Sequence, residues 1–107
     1  MAFDAYDRAL DLIRTLAPLA RRLATYDPSL TKQLREAASS ITQNLMEGSE
    51  RRGKDRKNHY RYAHGSVAEV IGILDTAVAW GYFETEAVAA SLALAGRVKA
   101  MAYRLAN

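Results

Sequence analysis

Apolar residues recur at three- and four-residue steps along four stretches of the chain, with helix breakers between them. That periodicity belongs to amphipathic helices, and strand-like alternation is missing. In the first stretch Phe3, Tyr6, Leu10, Ile13, Leu16/Ala17, Ala20 and Leu23 form the stripe, with Asp4 and Asp7 near its start and Arg21 and Arg22 near its end, as a helix dipole favours. Pro18 lies inside this stripe and removes a backbone donor, so a kink or a break into two pieces is expected there. Asp27-Pro28 opens the second helix, since aspartate caps free amides and proline suits the first helical position. Its apolar face is Leu30, Leu34, Ala37, Ile41 and Leu45, and Gly48 is expected to stop it.

Ser49 to Lys57 reads as a polar, basic connection whose inner part can extend either flanking helix. The third helix is expected from about Asn58, a plausible cap, to Gly81, with Tyr60, Ala63, Val67, Val70/Ile71, Leu74 and Ala77/Val78 facing inward. A short turn from Gly81 to Glu84 leads to the fourth, which carries Val88, Leu92, Ala95, Val98, Met101/Ala102 and Leu105. Short connections make successive helices antiparallel, so the expected fold is an all-α, up-down-up-down four-helix bundle forming one domain over residues 1–107. A chain of 107 residues buries a modest share of its surface and gains from oligomerising.

The sequence has no cysteine, which excludes disulfides and cysteine-based zinc sites. It has no apolar run of membrane-spanning length and no signal-peptide pattern, so no membrane association and a cytoplasmic location are expected. Neither a Glu-x-x-His pair nor an HExxH motif is present, and no metal or cofactor is expected. The net charge of +3 is unevenly placed. Ser49–His64 holds six basic and two acidic side chains, whereas the rest holds nine basic and ten acidic. Arg51, Arg52, Lys54, Arg56, Lys57 and Arg61 are therefore the expected phosphate contacts of a nucleic-acid site, and nearby tyrosines could stack on unpaired bases. A plain solvated loop is the alternative reading.

Two further features stand out. Gln33, Ser40, Asn44 and Glu47 share one face of the second helix, with Ser66 and Glu69 as counterparts on the third. This polar seam is either a solvated face or a hydrogen-bond network that fixes register or subunit contacts. Gly65 and Gly72 repeat at heptad spacing with Ala79, and a helix interior tolerates glycine at a cost of about 1 kcal/mol against alanine. Close packing of another backbone is expected there, within the bundle or between subunits. Catalysis has a weaker basis: Arg52 and His59, six residues apart in between, match the loosest spacing of HEPN-type ribonucleases, and the protein is expected not to be an enzyme.

Leu30-x-x-Gln33-Leu34-Arg35-x-Ala37-x-x-Ser40-Ile41-x-x-Asn44-x-x-Glu47-Gly48, then a basic connection, then Tyr62-Ala63-x-Gly65-Ser66-x-x-Glu69 and Leu74-x-x-Ala77-x-x-x-Gly81-Tyr82, together resemble the 23S rRNA intervening-sequence protein family of bacterial four-helix bundles. The accessory variability protein of diversity-generating retroelements belongs to the same group. His59-Tyr60 departs from a usual phenylalanine, and His64 from a common arginine. The resemblance implies a homopentamer, a ring of five bundles with a positive channel or face. It also implies partners such as RNA or DNA and a reverse transcriptase or other nucleoprotein. With the basic segment, it points to a non-enzymatic bundle that binds nucleic acid or a ribonucleoprotein. A protein-interaction scaffold without nucleic-acid contact is the second reading.

Overall fold

The computed structural model describes residues 2–107, with side chains from residue 4 onward, and these residues form four helices and no strand. They are α1 (Ala2–Leu23), α2 (Pro28–Ser49), α3 (Gly53–Ala79) and α4 (Thr85–Ala106). Each packs on its neighbours in sequence, and α1 closes the square against α4, so the bundle runs up-down-up-down. It measures 43 × 22 × 19 Å. None of these helices is long and apolar enough to cross a membrane.

One core runs the length of the bundle, with Leu12, Leu23, Leu34, Ile41, Leu45, Val67, Val70, Leu74, Val88 and Val98 its largest sealed side chains. The inward faces expected for α2 and α3 are buried except for Leu30, Ile71 and Val78, which are half-buried. On α4 Val88, Ala95, Val98 and Ala102 are buried, Leu92, Met101 and Leu105 are half-buried, and Ser91 and Ala106 are buried beside them. On α1 the deepest line is instead Ala5, Ala9, Leu12, Leu16, Leu19/Ala20 and Leu23, while Tyr6, Leu10, Ile13 and Ala17 sit half-buried beside it. The apolar arc of α1 is wide, and its small alanines allow the closest approach to the core, so the centre of burial is rotated by one residue. Phe3 of the expected stripe falls outside the residues whose side chains are described.

Pro18 does not divide α1, which continues to Leu23. It lies exposed on the outer face, where a missing amide bond is tolerated by solvent. Asp27 caps α2 as expected: its Oδ1 accepts from the Leu30 amide at 3.0 Å, with Pro28 at the first helical position. The buried hydroxyls are satisfied, Thr31 donating to the Asp27 carbonyl at 2.8 Å and Ser91 to Thr15 Oγ1 at 2.9 Å. Gly81 (φ +83°) ends α3 in a left-handed residue, and the amides of Gly81 and Tyr82 return to the carbonyls of Val78 and Ala77.

The two inner helices meet more abruptly than the sequence suggests. Only Glu50, Arg51 and Arg52 separate α2 from α3, so the expected connection of Ser49–Lys57 is mostly helix. Asn58 is not a cap; its Oδ1 accepts from Arg61 Nη1 at 2.8 Å in the second turn of α3. Gly53, at φ +58°, lets the chain reverse and start α3 five residues earlier. Gly48 does not stop α2. It is buried one residue inside the helix end, directly beneath Tyr60, and a Cβ there would lie 2.6 Å from that ring.

Gly65 and Gly72 also differ from expectation within the bundle. Both lie exposed on α3, and a Cβ on either would meet nothing within 4 Å. The close approach inside the fold occurs at Gly48 instead, because only there does a bulky ring cross from the facing helix.

Candidate nucleic-acid interface

The α2–α3 corner gathers the basic residues at one end of the bundle, and the structure divides them by task. Arg56 holds the corner together. Its Nε–H is shared between the carbonyls of Gly48 (3.1 Å) and Arg51 (2.7 Å), and Nη2 donates to the Ser49 carbonyl at 3.2 Å. The Gly48 and Ser49 carbonyls are acceptors that a helix C-terminus leaves without intrahelical partners, and that of Arg51 belongs to the turn, so Arg56 serves chiefly as a clamp rather than as the free phosphate contact expected of it.

Arg51 is occupied by acids. Its Nη2 meets Glu47 at 2.9 Å and its Nη1 meets Asp55 at 3.5 Å. The Glu47 hydrogen bond, then the charges of Glu47 and Asp55, hold the guanidinium above the usual arginine range. Exposed pairs of this kind contribute little to stability, and they leave donors on Arg51 for a ligand.

Arg52, Lys54 and Lys57 make no side-chain hydrogen bond or ion pair among the described residues, and all three are exposed. Lys54, Lys57 and Arg61, at steps of three and four, share one face of α3 and border an open groove with Gly53 and Asn58. Arg52 precedes the helix without a side-chain cap, which leaves the first amides of α3 without that partner. Three cations at the positive end of a helix make a surface suited to phosphate.

The polar seam crosses between α2 and α3. Ser66 Oγ donates to Ser40 Oγ at 2.8 Å, and Asn44 Nδ2 donates to the Ser40 carbonyl at 3.0 Å and to Ser40 Oγ at 3.1 Å. Asn44 Oδ1 then meets His59 Nδ1 at 3.0 Å. Ser40, Asn44 and Ser66 are thus brought together, half-buried, as a network. Gln33 and Glu69 stay exposed outside it, and Glu47 turns to Arg51.

His59 is the member that the seam's spacing on α2 did not reveal. Its five-residue step from His64 and its isolation from the α3 apolar stripe gave no signal; only the crossing of α2 brings Asn44 to it. The ring stands on the wall of a 720 Å³ open groove with Tyr6, Asn44, Met46, Glu47 and Arg51. Tyr62 meets it edge to face at 5.9 Å and is exposed, whereas Tyr60 is core. No hydrogen bond or ion pair joins Arg52 to His59 among the described residues. Nor do three histidine, aspartate or glutamate side chains converge there as a metal site requires.

The 23S rRNA-intervening sequence protein model matches residues 1–104. The chain belongs to that family. A crystal structure of a protein of unknown function from the S23 ribosomal protein family of Bacteroides thetaiotaomicron VPI-5482 superposes with a TM-score of 0.88 at 16% identity, covering 96% of this chain and 98% of that one. At that identity the likeness speaks for the shared bundle. No curated protein matches the sequence.

Proposed function

We propose that this family member is a non-enzymatic, cytoplasmic helical bundle that assembles with copies of itself and binds nucleic acid, or a ribonucleoprotein, through the α2–α3 corner. The observation that carries this reading is the set of unpaired cations Arg52, Lys54 and Lys57, with Arg61, around the start of α3. Elsewhere, Arg8 and Arg14 pair with Asp11 and Lys32 lies 3.9 Å from Glu36, while Arg21, Arg35, Arg97 and Lys99, also without an ion pair among the described residues, are spread over α1, α2 and α4. Binding driven by phosphate neutralisation weakens linearly on logarithmic axes as salt rises, with a slope of about −0.7 per phosphate contact for a single strand. A salt series of RNA and DNA binding tests the reading, and a salt-independent affinity overturns it.

Assembly is supported by the outward small-residue face of α3, where Gly65, Ala68, Gly72 and Ala79 leave room for a close neighbour. The family likeness favours a ring of five, which would multiply the cations of one corner around an axis. Light scattering gives the subunit number directly, and a monomer at micromolar concentration rules the assembly out.

A protein-interaction scaffold is the second reading, favoured by the exposed Trp80 (69%) and Tyr26 (57%) at the far end of the bundle. Partner capture that survives nuclease treatment, together with no direct nucleic-acid binding, decides for it.

A further inference from the structure

The seam fixes the chemistry of one nitrogen on His59. The Ser40 carbonyl only accepts hydrogen bonds, so the Asn44 group 3.0 Å from it is the amide nitrogen, and Asn44 Oδ1 faces His59. That oxygen also only accepts, which places the imidazole hydrogen on Nδ1 and leaves the Nε2 lone pair bare in the neutral ring. Nε2 lies 3.9 Å from Asp55 Oδ1, too far for a direct hydrogen bond. Two acceptors therefore stand side by side, with Asp55 exposed and His59 keeping 21% of its side-chain surface open.

The donors that border the same groove as His59 are the remaining hydrogens of Arg51; Lys54 and Lys57 border a neighbouring groove on α3, and Glu50 is a further exposed carboxylate at the corner. A ligand that uses both kinds of group must offer an acceptor-rich anion with a neutral donor close beside it. A ribonucleotide does so, because its 2′-hydroxyl lies next to the phosphate and donates as well as accepts; a deoxyribonucleotide has no such donor. The exposed Tyr62 ring, edge to face with His59, adds a surface on which the same nucleotide's base can stack. His59 is recessed in the groove wall with Asp55 exposed at its side, which favours a flexible strand over a rigid duplex.

We propose that His59 Nε2 and Asp55 form an acceptor pair that takes a ribose 2′-hydroxyl, so that the corner selects single-stranded RNA over DNA. This rests on the nucleic-acid reading above. Asn44 is then a positioning residue, which sets the tautomer of His59 through the seam.

The test is fluorescence anisotropy with one oligonucleotide sequence in four forms: ribose, deoxyribose, 2′-O-methyl and 2′-fluoro. The ribose strand is expected to bind about three- to tenfold more tightly than the other three, the worth of one net hydrogen bond. His59→Phe keeps a ring but removes the lone pair, and is expected to erase that gap. Equal affinities in the wild type overturn the proposal, as does a 2′-fluoro strand that binds like ribose or a gap that survives in His59→Phe. Should His59→Phe fail to fold, the wild-type series decides, with Asp55→Ala as the second variant. If none of the four strands binds, the nucleic-acid reading itself falls and this one with it; binding without ribose preference removes this one alone.

Discussion

The two ends of the bundle solve the same problem, turning a helix back on itself, with opposite chemistry. At the α2–α3 end the turn is Glu50-Arg51-Arg52, clamped by Arg56 on three carbonyls and surrounded by cations. At the other end, two turns are tied to each other by aromatic groups. Tyr82 donates to Asp27 Oδ2 at 3.1 Å, Tyr26 stacks on Tyr82 at 5.4 Å and 11°, and Trp80 stacks at 6.4 Å and 20°. Phe83 is buried beneath them, with the Arg22 guanidinium 5.0 Å from its ring centroid. The aromatic end ties Asp27, Tyr82 and Arg22 to its own groups. The basic end keeps Arg52, Lys54 and Lys57 unspent, and that contrast singles it out as the end that meets a polyanion.

The sharpest way to break the comparison is to invert the charge at one end only. Arg52→Glu, Lys54→Glu and Lys57→Glu together are expected to lower RNA affinity by about a hundredfold or more, since each lost phosphate contact and each new repulsion compounds. Thermal melting should stay near the wild type, because none of the three makes a fold contact. Tyr26→Ser with Trp80→Ser should leave that affinity unchanged; a matching loss there would mean that both ends bind.

Next in size is the root of the basic end. Gly48→Ala is expected to destabilise the fold by about 1–2 kcal/mol, overpacking against Tyr60 outweighing the helix-propensity gain. Gly65→Ala, on the open face, should instead raise the stability of the isolated bundle by about 0.5–1 kcal/mol. Chemical denaturation of both variants checks the pair, and a loss at Gly65 as large as at Gly48 would place a close neighbour on that face. At the aromatic end, Asp27→Ala removes the α2 cap and should cost about 1 kcal/mol, read the same way.

The smallest effect distinguishes the ends by pH. Burial, then the hydrogen bond and charge of Asp27, push the Tyr82 phenol above its ordinary value. A phenol with a raised folded pKa favours the fold in full below the unfolded value of about 10, and that contribution is lost as pH climbs through the folded one. Melting temperature should therefore decline on the alkaline side in the wild type and decline less in Tyr82→Phe. An unchanged alkaline profile in that variant would detach Tyr82 from the effect.

The bundle was legible in the sequence because periodicity of three and four directly reports which residues a helix can hide, and α2 and α3 hide most of those residues, with Leu30 half-covered at the start of α2. Asp27-Pro28 and Gly81 were legible for a related reason, since capping and left-handed turns depend on local residue types. What was not legible required knowledge of a neighbouring helix. Gly48 has the local look of a stop, and only Tyr60 arriving from α3 explains it. Arg56 resembles its cationic neighbours until the carbonyls of Gly48, Ser49 and Arg51 come within its reach. The seam's Ser40, Asn44 and Ser66 were visible as a polar face, yet the sequence left both a solvated face and a network open. His59, the residue that completes the network, carried no periodic mark at all.

The brevity of the corner also has a kinetic consequence. Three residues between two long helices make loop closure cheap in entropy, and the Arg56 clamp and the Tyr60–Gly48 contact reward it at once. The α2–α3 hairpin is therefore the natural nucleus for folding, with α1 and α4 condensing on it afterwards. Substitutions at Gly48 or Arg56 should slow refolding, whereas those at Tyr82 or Asp27 should mainly hasten unfolding. The surface that faces the ligand would then be the first part of the molecule to acquire its shape.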